Sequence, residues 1–201
     1  MKKISTSVPS PLGRVRAGSR CPWPANDPLM IKYHDEEWGK PLHDDRKLFE
    51  FLILESFQAG LSWRTVLYKR ENFRKAFANF DAKKVSKFDR KKFNTLMKDA
   101  GIIRNRLKIE AAINNAKCFL NIQKEFGSFD KYVWSFTGGK TILNNPKSLK
   151  DLPAKTKVSD AMSEDMGKRG FKFRGSTICY AFMQAVGIVD DHIVGCECKR
   201  K

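Results

Sequence analysis

The chain has 201 residues, which is enough for one domain with a proper hydrophobic core, or for one domain with a tail. Its 39 Lys and Arg against 22 Asp and Glu leave a net charge of +17. This excess indicates a polyanionic partner, either a nucleic acid or an anionic membrane surface, although a soluble, lysine-rich protein would have the same composition. No apolar run approaches the roughly 20 residues that a membrane span requires, which excludes a transmembrane protein.

Residues 1–20 are rich in Ser, Pro and Gly and contain no acidic residue. We interpret them as a disordered basic arm, with an organelle transit peptide as the alternative, and residues 21–201 as one folded domain. Five widely spaced cysteines and no visible signal peptide favour a reducing compartment. The basic residues of the arm are Lys2, Lys3, Arg14, Arg16 and Arg20.

The folded region shows helical periodicity throughout and no convincing alternation with period two, so the predicted fold class is all-α. Gly and Pro residues indicate that 137–158 is mostly loop. We expect Ser159 to cap the helix that follows it. The predicted helices are one from Pro28, capped by Asp27; one at 44–59; one or two at 62–80; a pair at 91–100 and 104–126; and others at 129–136, 159–168 and 175–186.

The helix that opens at Asp44 is apolar on almost every side, which is typical of a helix in the middle of a domain. Glu55 lies within it, stacked at helical spacing on Leu48, Phe51 and Leu52. A carboxylate there costs free energy unless something pairs with it. Glu55 therefore either accepts hydrogen bonds inside a structural network or faces a pocket that takes a cationic or N–H-bearing ligand.

Each end of the folded region offers one thiol and one imidazole: Cys21 with His34, and His192 with Cys196. Together they would form a tetrahedral Cys₂His₂ zinc site that joins the two chain ends. The alternative is four unrelated residues, and Cys198 is near enough to compete with Cys196. Four protein ligands leave no open position for water, so we expect any zinc to be structural.

The Gly101-Ile102-Ile103 turn lies between two predicted helices, and Arg104 and Arg106 follow it. Such a turn can present backbone N–H groups and a helix N-terminus to a phosphate, and the two arginines add positive charge. Short glycine turns between helices are common, so this observation alone is not specific.

Four aromatic residues, Trp23, Tyr33, Trp38 and Trp63, lie close in sequence to the proposed metal ligands and to Glu55. Most such residues are part of a core. Flat rings around a carboxylate also suit a flat, cationic ligand with N–H donors, such as an alkylated purine.

Taken together, these residues resemble the 3-methyladenine DNA glycosylase I family. The resemblance extends from Cys21 to Cys198. Its most specific blocks are 33–39 (YHDEEWG), 58–63 (QAGLSW), 99–104 (DAGIIR), 168–173 (KRGFKF) and 191–196 (DHIVGC).

The resemblance implies an all-α helix-hairpin-helix glycosylase fold and a monofunctional enzyme that excises 3-methyladenine from alkylated double-stranded DNA in base excision repair. It implies that one structural Zn²⁺ is bound by Cys21, His34, His192 and Cys196. We further expect a monomer in the cytoplasm, associated with the nucleoid. The alternatives are a zinc-stabilised DNA-binding protein without catalysis and a metal hydrolase.

The resemblance also assigns roles around the base. Glu55 would hydrogen-bond the methylated base, Tyr33 and Trp63 would stack on it, and Trp23 would lie close by. Gln58 and Leu61 would fill the gap left by the extruded nucleotide, and Gly101, Ile103 and Arg104 would contact the DNA backbone. The family lacks the catalytic aspartate of its wider superfamily, and the sequence offers no clear replacement.

Overall fold

A computed structural model describes residues 19–200, and its regular secondary structure in this range is helical apart from one small strand pair. The predicted basic arm therefore lies mostly outside the described residues. None of the described helices is both long and apolar enough to cross a membrane. The helices are α1 Pro28–Glu36, α2 Asp45–Gln58, α3 Trp63–Tyr68, α4 Arg70–Ala76, α5 Ala82–Val85, α6 Arg90–Lys98, α7 Arg106–Phe126, α8 Phe129–Ser135, α9 Lys157–Lys168 and α10 Ser176–Ala185.

Helix α2 is the centre of the domain, as its all-round apolar pattern predicts. Every residue from Leu48 to Phe57 is buried. The helix packs against α3, α7, α8 and α10, which surround it. Anything on α2 that faces a cavity is consequently held by the most rigid part of the core.

The helix starts follow local capping chemistry. The side chains of Asp27, Asp44 and Asp89 accept hydrogen bonds from backbone N–H groups in the first turns of α1, α2 and α6. The expected cap at Ser159 is wrong, because Thr156 caps α9 and Ser159 closes a reciprocal capping box three residues later. The helix therefore starts earlier than the sequence pattern suggested.

The structure also contains a small strand pair that periodicity missed. Strand β1, Ile142–Leu143, pairs in parallel with β2, Val189–Asp190. Two residues per strand are too few to show an alternating pattern. The pairing ties the long loop after α8 to the C-terminal segment.

The loop after α1 crosses the end of α10 at close range. Gly39 N donates to Gln184 O and Leu42 N donates to Val186 O. Gly187 has φ +72°, and a Cβ at this position would overlap the backbone of Lys40 and Pro41. Only glycine fits both conditions, so the close crossing of the loop after α1 and the end of α10 requires glycine at position 187.

We expect Gly187→Ala to destabilise the fold strongly. The strain of positive φ costs about 1–2 kcal/mol, and the overlap with rigid backbone adds roughly 1–3 kcal/mol. Gly139→Ala is the matched control, because Gly139 has φ +75° but no atom within 4 Å of its added methyl. Urea unfolding measures both variants, and equal losses of stability would contradict the close-packing argument.

Candidate functional site

Helix α2 carries two buried acidic residues with different surroundings. Glu50 is 5% exposed and forms salt bridges with Arg70 at 2.5 Å and with Arg74 at 2.8 Å. Arg70 also pairs with Glu37. Glu50 thus belongs to a structural ion-pair network, which is the ordinary reason for burying a carboxylate.

Glu55 has no such partner in the part of the chain that the structure describes. It is 3% exposed, and its Oε2 is buried without a hydrogen bond to these residues. Burial raises the pKa of Glu55 to about 8. The guanidinium groups of Arg70 and Arg74 pair with Glu50 and Glu37 instead. Of the two interpretations that the sequence left open, the geometry favours the one in which Glu55 faces a pocket.

That pocket is a cavity of about 230 Å³ beside α2. Tyr33 and Trp63 form one wall, with ring centroids 5.0 Å apart and planes inclined by 45°. Trp23 packs edge-on against Tyr33 at 6.2 Å and against Trp38 at 5.2 Å. All four predicted aromatic residues therefore lie in the cavity wall together with Glu55.

Two residues of the cavity wall also carry unused hydrogen-bond donors. The indole N–H groups of Trp23 and Trp63 are buried and have no acceptor within residues 19–200. A buried polar group without a partner costs free energy, and such groups are normally satisfied. Two orphan donors and one orphan carboxylate oxygen in one aromatic-walled cavity are complementary to a flat ligand that carries both acceptors and donors.

Part of the cavity wall escaped the sequence analysis. Four of these residues come from segments far from α2 in sequence. They form two pairs whose members are three residues apart and share one face of a helical turn, which is a weak signal. The missed residues are Leu149 and Leu152 in the loop before α9, Ala181 and Gln184 on α10, and Met30 on α1.

The cysteines and histidines of the two chain ends meet in a second site. His34, His192, Cys196 and Cys198 each offer a ligand atom within 4.8 Å of the others. Cys21 is next to them: its thiol is hydrogen-bonded to Cys196, and its Sγ accepts from Ile193 N at 3.4 Å. The structure thus brings together three of the four residues proposed as ligands, His34, His192 and Cys196, with Cys198 as the fourth member of the group. Cys21 lies beside this group through its contact with Cys196.

Both imidazoles are oriented toward this cluster by carboxylates. His34 Nδ1 lies 2.7 Å from Asp35 Oδ1, and His192 Nδ1 lies 2.8 Å from Asp190 Oδ1. Each Nε2 is thereby left for the cluster, and that of His192 is buried without a partner. Carboxylates that hold the outer nitrogen of a histidine are the usual surroundings of a metal-binding imidazole, so the residues fit a tetrahedral metal ion.

The other predicted residues lie on two turns. Gln58, at the end of α2, lines the cavity, whereas Leu61 is on the next turn and 43% exposed. Gly101, Ile103 and Arg104 lie in the connection from α6 to α7, with Arg104 exposed.

The connection from α6 to α7 is held against the start of α4. Lys69 Nζ donates to the carbonyls of Ala100 and Gly101, and Asn72 Nδ2 donates to that of Gly101. The connection is therefore built as a fixed turn between two helices.

Comparison with known proteins shows to which family the chain belongs. The model of the methyladenine glycosylase family matches residues 23–200, which is nearly the whole described chain. The chain belongs to this family. Within the family, it is 49% identical over 181 residues to the DNA-3-methyladenine glycosylase of Haemophilus influenzae, with 90% of this chain and 98% of the relative covered.

Further relatives of the family agree. The chain is 50% identical over 179 residues to DNA-3-methyladenine glycosylase 1 of Escherichia coli, covering 89% of this chain and 96% of the relative. A crystal structure of 3-methyladenine DNA glycosylase I superposes with a TM-score of 0.88 at 49% identity, covering 90% of this chain and all of that one. A Staphylococcus aureus structure solved for 3-methyladenine recognition also has a TM-score of 0.88, at 36% identity and 92% and 98% coverage.

The unpaired carboxyl group of Glu55 predicts a pH-dependent stability difference. Its folded-state pKa, about 8, lies above the ordinary value of 4.5, so the stability it contributes is fully present at low pH and is lost as the pH rises toward 8. We expect Glu55→Gln to gain stability relative to the unmodified protein by about 1.4 kcal/mol per pH unit across this window. Urea unfolding at pH 5, 6, 7 and 8 measures the difference.

Glu50→Gln is the control for this experiment, because that change removes a partner of Arg70 and Arg74 inside a buried network. We expect it to destabilise the protein at every pH tested. A pH-independent difference for Glu55→Gln would contradict the assignment of Glu55 as a buried, unpaired acid.

Proposed function

We propose that this chain is a monofunctional DNA glycosylase that hydrolyses the N-glycosidic bond of 3-methyladenine in alkylated double-stranded DNA. Its relatives at about half identity carry that activity in their names. The observation that supports the assignment in this chain is the buried, unpaired carboxyl group of Glu55 in an aromatic cavity. The net charge of +17 suits a DNA substrate.

Recognition in this proposal depends on charge. Methylation at N3 makes the attached adenine cationic, and a cation in the cavity lowers the pKa of Glu55 so that the carboxylate forms. Glu55 then accepts from the exocyclic amine, while Tyr33 and Trp63 each contribute cation–π attraction of roughly 0.5–2 kcal/mol. Unmethylated adenine lacks the positive charge, so the cavity discriminates by electrostatics more than by shape.

Two variant structures of relatives support these roles. One carries a Tyr-to-Phe substitution with 3-methyladenine bound, and another carries a Glu-to-Gln substitution. The two substituted positions are 22 residues apart in those chains, and so are Tyr33 and Glu55 here. We therefore assign the base-binding roles to these two residues.

The chemical step needs little acid catalysis, because the cationic base is already a good leaving group. What the protein supplies is extrusion of the nucleotide, a site that binds the base, and stabilisation of bond breaking. A water molecule then attacks C1′ of the sugar, and no covalent intermediate with a lysine forms. Gln58 and Leu61 fill the gap in the duplex, and the α6–α7 connection, a helix-hairpin-helix in this proposal, contacts the backbone through Gly101, Ile103 and Arg104.

The metal in this proposal is one structural Zn²⁺ held by Cys21, His34, His192 and Cys196. Support comes from the grouping of His34, His192 and Cys196, from the contact of Cys21 with Cys196, and from the Asp35 and Asp190 carboxylates behind the imidazoles. Two hydrogen bonds lower the pKa of Cys196: the one from Cys21 has the larger effect, and the one with His34 the smaller. A lower pKa favours the thiolate form that zinc requires. A bound ion would link the segment before α1 to the C-terminal segment and stabilise the fold.

We expect incubation with N-methylated duplex DNA to release free 3-methyladenine, detected by chromatography of the supernatant. Glu55→Gln should fold but release the base at least about 100-fold more slowly, because it cannot become anionic opposite the cationic base. Full activity of this variant would contradict the proposed role of Glu55.

The same assay separates the alternatives. A DNA-binding protein without catalysis would release no base and would bind methylated and unmethylated DNA equally. A metal hydrolase would lose its chemistry in the presence of a chelator while remaining folded. Borohydride treatment during the reaction should trap no protein–DNA adduct, whereas an adduct would indicate a lyase that uses a lysine nucleophile.

Metal analysis of the purified protein should find about one zinc per chain, and removing the metal should lower the thermal midpoint. Cys196→Ser should lose the metal. Cys198→Ser is the matched control and should retain it, since Cys198 is not among the proposed ligands. Loss of zinc in Cys198→Ser with retention in Cys196→Ser would reverse the assignment of these two residues.

A further inference from the structure

Lys108 is a buried lysine in an unfavourable position. It lies in the first turn of α7, where the helix dipole disfavours a positive charge, and it is 6% exposed. Burial lowers the pKa of its ammonium group. A lysine kept in such a place needs compensating contacts.

The compensation comes from the far end of α2. Lys108 Nζ donates to Phe57 O at 2.8 Å and to Ala59 O at 2.6 Å. These carbonyls belong to the C-terminus of α2, where the dipole favours a cation. The ammonium group thus sits between the start of α7 and the end of the helix that carries Glu55.

One of these two carbonyls belongs to a tight turn over residues 58–61. Leu61 N donates to Gln58 O at 2.6 Å, Ala59 has φ −45° and ψ 115°, and Gly60 has φ +76°. These are the features of a type II turn. Types I and II differ by a flip of the central peptide, and Ala59 O is the oxygen of that peptide. The hydrogen bond from Lys108 therefore selects the type II form.

This turn connects the base pocket to the exposed surface. Gln58, the first residue of the turn, lines the cavity, and Leu61, the last residue of the turn, is exposed. The next residue, Ser62, caps α3, whose first residue, Trp63, stacks against Tyr33. Without the two hydrogen bonds from Lys108, the end of α2 and this turn would no longer be held to α7, so Leu61 would lose its fixed position while Glu55, one helical turn earlier, stays in place.

We propose that Lys108 is a positioning residue for nucleotide extrusion. Its ammonium group fixes the 58–61 turn so that Gln58 and Leu61 enter the duplex together as the damaged nucleotide leaves it. The inference rests on the proposed glycosylase function and adds a residue to it. Lys108 touches neither the base nor the reacting bond, so its effect should appear only where a duplex must be opened.

Two variants perturb the turn independently. Lys108→Met removes the donor but keeps the length of the side chain. Gly60→Ala penalises the positive φ, and its added methyl meets no atom within 4 Å. The double variant tests whether both act on one feature. Lys155→Met is the control for the loss of one positive charge, because Lys155 is 60% exposed and pairs only with Asp160 among the described residues.

The substrates are methylated poly(dA) alone and the same strand annealed to poly(dT), with released 3-methyladenine measured by chromatography. Binding of free 3-methyladenine, followed by quenching of tryptophan fluorescence, reports on the pocket itself. We expect each single variant to lower kcat/KM on the duplex by about 10-fold or more, and the double variant to lose no more than the worse single variant.

On the single strand, and in binding of the free base, we expect changes within about twofold for the turn variants, and for Lys155→Met on every substrate. Equal losses on single strand and duplex, additive losses in the double variant, or unchanged duplex activity would each overturn the proposal. If Lys108→Met fails to fold, Gly60→Ala alone still tests the role of the turn, because this substitution removes no buried side chain. Absence of any base release by the unmodified protein would instead refute the proposed function.

Discussion

A carboxyl group buried without a partner lowers the stability of a protein unless a ligand completes its hydrogen bonds. Glu55 is such a group, whereas Glu50, on the same helix and equally buried, is neutralised by Arg70 and Arg74. The contrast shows that the fold can pair a buried acid and leaves this one unpaired at the cavity. Stability is sacrificed at that position, which is typical of a binding site.

The cysteine–histidine cluster and the base pocket share their walls. Tyr33 faces the pocket and His34, the next residue on α1, faces the cluster. The Trp23 ring lies 5.3 Å from that of His34, and the Trp38 ring lies 4.7 Å from that of His192. Any ion that orders the cluster would therefore also order the aromatic rings of the cavity wall, so a structural metal would influence the shape of the cavity without lying in it.

Local signals in the sequence were sufficient to predict the central helix and the helix caps Asp27 and Asp44. They also predicted that the central helix is buried on all sides, which drew attention to Glu55. These features depend on neighbours within one or two helical turns. The wall residues Leu149 and Gln184 were missed because their position depends on how distant segments pack.

Other misses have the same long-range origin. Nothing in the spacing around Lys108 indicates that its side chain reaches carbonyls 49 and 51 residues earlier in the chain. The two-residue strands are likewise set by a pairing across the domain. By contrast, the meeting of His34, His192 and Cys196 was anticipated from their chemistry, whereas the place of Cys198 in the same group was foreseen only as a competitor of Cys196.

The outer wall of the cavity comes from the long loop between α8 and α9, through Leu149 and Leu152. This loop is anchored to the C-terminal segment by the β1–β2 pair and by hydrogen bonds from Asn144 N to Asp190 O and from Val194 N to Pro146 O. Because the anchors lie outside the helical core, the loop can change in length and composition while α2 stays as it is. The shape of the accepted purine is thus open to evolutionary adjustment separately from the charge that marks it as damaged.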